Sequence, residues 1–76
     1  MSVNERLQSV FADILKHPVG PDEEITREGD AAWDSLKHME LVFAMEDEFG
    51  VQFTEDDIAT LASRAAFATR ISELMS

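Results

Sequence analysis

The sequence predicts an all-α fold, a small helical bundle of three main helices plus one short helix. Apolar residues recur at helical spacing along most of the chain. Ser, Thr or Asp stands at each position where such a helix needs an N-cap. The large residues are mainly Phe, Leu, Ile and Met, with no Tyr and one Trp, which suits helix packing better than a sheet.

In the first helix, Ser2 and Glu5 have capping-box spacing. Val3, Leu7, Val10, Phe11, Ile14 and Leu15 then form one apolar stripe. Lys16 and His17 suit the negative end of that helix, and Pro18 stops it. His17 has no evident partner and reads as a helix-end cation when protonated. Residues 18–33 form a long loop with Pro18, Gly20, Pro21 and Gly29, pinned to the core by Ile25 and Trp33.

The second helix starts with Asp34 or Ser35 as its cap and ends at Gly50, a favourable residue beyond a helix C-terminus. It carries two apolar stripes where packing needs one. Leu41, Val42, Met45 and Phe49, with His38, lie on one side; Leu36, Met39 and Phe43, with Glu40 and Asp47, lie opposite. After the extended link Val51–Phe53, Thr54 and Asp57 box a brief third helix with Ile58 and Leu61 inside. Ser63 caps the last helix, whose inner face is Phe67, Ile71 and Leu74, joined by Ala68 and Met75. With 76 residues the chain is read as a single domain over 1–76.

Composition narrows the function. Sixteen acidic residues against six Lys and Arg give a formal charge of −10, which disfavours nucleic acid and anionic membranes. Proteins with basic patches are the natural partners. Cysteine is absent, so any thiol chemistry must come from a prosthetic group. No apolar run approaches the ~18 residues of a membrane span and no signal-peptide core opens the chain; a cytoplasmic location and a monomeric state are expected.

The focal point is Trp33-Asp34-Ser35-Leu36, where a serine hydroxyl meets the start of an acidic helix. Free backbone N–H groups and the helix dipole there favour a phosphate ester on Ser35 Oγ. The bland alternative is a plain N-cap. From Asp34 to Asp57 there are eight acids and one base, Lys37, so the stripe of Leu36, Met39 and Phe43 resembles a recognition surface with a charged rim. Burial under the loop or a homodimer seam are its structural alternatives. With Gly29 at the sixth position of an EF-hand loop, the twelfth is Ser35 rather than Glu, so that metal frame fails. A hydrolytic triad from Asp34, Ser35 and His38 is disfavoured, since His38 falls on the core side and no G-x-S-x-G elbow exists. No catalytic residue and no metal ligand is assigned.

Asp34-Ser35-Leu36, then Met39-Glu40-Leu41-Val42 and Met45-Glu46-Asp47-Glu48-Phe49-Gly50, followed by Val51 to Asp57, together resemble an acyl carrier protein over nearly the whole length. The resemblance implies a four-helix bundle and a 4′-phosphopantetheine arm on Ser35, attached from coenzyme A by a phosphopantetheinyl transferase. Asp34 would cap the helix and present the arm. Leu36, Met39, Glu40, Phe43 and Asp47 match positions that such carriers show to acyl-loading and acyl-processing enzymes. Trp33, Lys37 and Arg64 depart from the small, acidic and apolar residues common there in fatty-acid-synthesis carriers. These departures point to a specialised pathway, polyketide or modified-lipid, rather than housekeeping fatty-acid synthesis. A peptidyl or D-alanyl (amino-acyl) carrier and an unmodified acidic interaction module are the alternatives. Because like charges repel across a small core, added salt is expected to raise the melting temperature; no rise across a salt titration would contradict this.

Overall fold

The computed structural model describes residues 2–21 and 23–76. It contains four helices, α1 (Val3–Leu15), α2 (Ser35–Phe49), α3 (Glu55–Thr60) and α4 (Arg64–Met75), as the sequence predicts. The caps fall where the residues place them. Ser2 and Glu5 form a full capping box on α1, and Thr54 and Asp57 form another on α3. Ser63 Oγ accepts from the Ala66 amide at the start of α4. Gly50 ends α2 at φ 65°, a left-handed conformation that suits a residue without Cβ. α1 ends one turn before Pro18, with Lys16 in the same left-handed region at φ 60° and its N–H on the Ala12 carbonyl.

α1 packs chiefly on α2 and α4. Leu7, Phe11 and Leu15 meet Leu41, Val42 and Met45 from α2 and Phe67 and Ile71 from α4 in one core. Phe67 is the aromatic hub. Phe11 and Phe53 meet it edge to face, with centroids 5.8 and 5.7 Å away, and the Trp33 ring lies tilted at 6.1 Å. Truncating a buried Phe of this kind to Ala removes about 3–5 kcal/mol, a large share of the ~5–15 kcal/mol that holds a domain folded.

The long loop is pinned by Ile25 and Trp33, both buried as anticipated, and also by Val19. An isolated antiparallel bridge joins Thr26 to Ser63: Arg27 N–H donates to the Ala62 carbonyl at 2.9 Å and Arg64 N–H to that of Ile25 at 2.8 Å. Gly29 follows in a tight turn where a Cβ would lie 2.7 Å from Thr26 Oγ1, so a side chain there would force the turn open.

Two expectations need correction, and one burial was not anticipated. Arg64 is buried, which its charge gave no reason to anticipate. Its guanidinium donates to the carbonyls of Gly20, Pro21 and Glu23 and to Asn4 Oδ1, stitching the loop and α1 to the start of α4. Met75, placed on the inner face, is 47% exposed because α4 runs on past the core. His17 does have partners: Asp30 Oδ2 at 2.8 Å and the Pro18 carbonyl at 2.9 Å.

Both His17 partners are acceptors, so the imidazolium satisfies them and the neutral ring cannot donate to both. The Pro18 carbonyl first, then Asp30, raise its pKa above the ordinary 6.5. A raised pKa means that this contribution is complete below pH 6.5 and is lost as pH rises through the folded-state value. The melting-temperature difference between wild type and His17→Gln is therefore expected to shrink as pH rises through neutrality. A difference independent of pH would refute the assignment.

Candidate functional site

At the end of the loop the backbone turns one residue inward and the next two outward. Trp33 is 2% exposed, whereas Asp34 and Ser35 face solvent. Trp33 N–H donates to the Asp30 carbonyl, and Asp30 Oδ1 accepts from the Ala32 amide, which sets the turn. Inside the core, Trp33 Nε1–H donates to His38 Nδ1 at 3.1 Å. Since indole can only donate, His38 Nδ1 must be the bare nitrogen. His38 Nε2 then carries the proton to the Ile58 carbonyl, 2.6 Å away. The ring is buried and both its nitrogens are engaged, as expected of a core histidine. It has no free nitrogen to take a proton from Ser35, which closes the triad reading.

Asp34, not Ser35, caps α2. Its Oδ1 accepts from the Lys37 amide at 2.9 Å. The plain-cap alternative for Ser35 therefore falls, and its hydroxyl is left to other uses. Ser2, Thr54 and Ser63 differ, because each of those hydroxyls accepts from an amide of its own helix. Ser35 occupies the first helical position, where its own amide and that of Leu36 have no intrahelical acceptor. Ser35 Oγ accepts from Arg27 Nη2 at 3.2 Å. Reading the sequence missed this contact, because it forms only when the Thr26–Ser63 bridge turns the loop back over the start of α2.

The structure brings Leu36, Met39, Glu40, Phe43 and Asp47 onto one side of α2, at helical spacing from Ser35. Leu36 is 68% and Phe43 60% exposed, so the loop does not cover that stripe. Met39 and Glu40 are half-buried, and Asp47 is exposed. Lys37 Nζ lies 3.1 Å from Glu40 Oε2, one turn along the helix.

Several acids near this face have structural work. Glu46 Oε2 accepts from the Phe53 amide at 2.8 Å. Glu48 pairs with Arg6 at 2.9 Å, and the Arg6 guanidinium also lies over the Phe49 ring, 4.6 Å from its centroid. Asp57 pairs with Arg70 at 3.0 Å. The Thr54 amide, ahead of Arg70, holds the Asp57 carboxyl below its ordinary range. Among the described residues no group of three or more His, Asp or Glu is placed to hold a metal ion, and no helix is long and apolar enough to cross a membrane.

Comparison with known proteins agrees with this geometry. The family model for the phosphopantetheine attachment site matches residues 5–71. The acyl carrier protein of Solidesulfovibrio magneticus is 38% identical over 60 residues, covering 75% of this chain and 74% of that protein. That of Nitratidesulfovibrio vulgaris strain DP4 is also 38% identical over 60 residues, covering 75% and 76%. An exposed serine at a helix start, a buried histidine unfit for catalysis, and these likenesses agree: the chain belongs to the acyl carrier protein family, whose members are carriers rather than enzymes and bear a covalently attached 4′-phosphopantetheine.

Proposed function

We propose that the chain is a single carrier domain in which Ser35 bears the arm and the Leu36–Asp47 side of α2 is the face shown to partner enzymes. The observation that carries this is the division of labour at the start of α2. Asp34 does the capping, so the neighbouring hydroxyl is exposed and uncommitted to its own helix. The residues present fit the group: an exposed Oγ, two open amides and the positive end of a 15-residue helix all favour a phosphodiester.

Loading would join Ser35 Oγ to the phosphorus of the arm as the pyrophosphate of coenzyme A is cleaved. Adenosine bisphosphate would leave, and the hydroxyl proton would pass to the transferase. When attached, the arm supplies a terminal thiol that holds acyl groups as thioesters, chemistry that a chain without cysteine cannot supply itself. Leu36 and Phe43 offer an apolar centre for docking, and Glu40 and Asp47 a charged rim for basic patches on acyl-loading and acyl-processing partners.

Interior packing supports a cargo held outside the bundle, and with it a specialised pathway over fatty-acid synthesis. Behind Ser35 the space is filled by Trp33, which packs against Phe11 at 5.3 Å and His38 at 6.0 Å. The His38–Ile58 bond closes α2 against α3. A long saturated chain would have to displace this aromatic cluster.

Incubation with coenzyme A and a broad-range transferase is expected to add one arm by intact mass, and Ser35→Ala to abolish it. An arm found on another residue, or on the Ala variant, would overturn the site. Once loaded, acyl groups of increasing length should leave the emission of Trp33, the single tryptophan, unchanged. Emission that shifts progressively with chain length would show the cargo entering the core.

A further inference from the structure

An arm on Ser35 places a permanent negative charge beside the Asp34 carboxylate, in a chain whose formal charge is already −10. A cation within reach would offset part of that charge, and there are only six Lys and Arg to provide one. Arg6, Lys37 and Arg70 are each paired with a carboxylate, Lys16 is the C-cap of α1, and Arg64 is turned to loop carbonyls. Arg27 is different. Among the described residues no carboxylate lies within ion-pair distance of it, and its Nη2 donates instead to Ser35 Oγ, the atom that would be esterified.

We propose that Arg27 is a positioning residue for the arm, its guanidinium meeting the phosphodiester on Ser35 and holding the root of the arm against the loop. The inference rests on the reading that Ser35 is the attachment site. Arg27 as a residue is half-buried, and its backbone is clamped by the bond from its amide to the Ala62 carbonyl, so the side chain starts from a fixed base rather than from a free loop. A planar fork of N–H donors at 3.2 Å from the ester oxygen reaches the non-bridging phosphoryl oxygens with little rearrangement. The open amides of α2 approach the same group from the helix side. The arm would thus leave the protein along a restricted direction set by the loop on one side and the helix on the other.

The test compares apo and loaded forms of wild type, Arg27→Gln and Lys37→Gln at low ionic strength, with loading verified by intact mass. Loading is expected to raise the melting temperature of wild type and of Lys37→Gln, and the rise should be lost in Arg27→Gln. The phosphorus resonance of the loaded protein should also differ between wild type and Arg27→Gln. An equal rise in Arg27→Gln, no rise in wild type, or loss in both variants would overturn the proposal, the last by tracing the effect to net charge. If Arg27→Gln does not fold, the Nε–H resonance of Arg27 in wild type decides; it should move on loading, and an unmoved signal overturns the assignment. Wild type that takes no arm removes the Ser35 reading as well, whereas wild type that loads with no response at Arg27 removes this proposal alone.

Discussion

The imidazole of His38 joins three parts of the molecule that otherwise have little to hold them in register. It accepts from Trp33 in the loop, sits on α2 and donates to the Ile58 carbonyl of α3. Because the indole can only donate, the tautomer is dictated and the direction of both bonds follows. Drawing Trp33 inward also fixes what comes next: Asp34 and Ser35 must emerge on the outside, one as a cap and the other as an exposed hydroxyl. The position of the candidate attachment atom is thus set from inside the core, by an aromatic ring two residues away.

Charge is distributed with comparable economy. A chain at −10 cannot gain much from each surface ion pair, yet its few cations sit at joints. Arg6 ties α1 to the end of α2, Arg70 ties α4 to α3, and Arg64 gathers the loop against α1 and α4. The acids that serve these joints and the caps lie away from the outward side of α2. What remains exposed there is an apolar stripe with acidic neighbours.

Local signals were legible in the sequence. The capping pairs, the glycine after α2 and the doubled apolar pattern of α2 each depend on residues within one or two turns, and each was readable without knowing the fold. The same holds for Ile25 and Trp33, large apolar residues in a polar loop. What could not be read depends on distant partners. The burial of Arg64 could not be read because its acceptors are backbone carbonyls about forty positions earlier, which carry no side-chain signature. His17 looked solitary because Asp30 approaches only after the loop has folded back. Arg27 escaped notice for the same reason: an isolated bridge to Ser63 decides where its side chain falls. Periodicity also overran the end of α4, where it counted Met75 as inner although the core had already ended.

α3 has a different kind of consequence. It is six residues long and none of them is fully buried; beyond half-buried Ile58, its anchorage comes from Phe53 and Leu61 at its two ends, the Asp57–Arg70 pair and the single bond from His38. An element held by its margins opens more cheaply than one held by its face. Amide hydrogens of α3 should therefore exchange before those of α1 and the inner side of α2, which open only with the core.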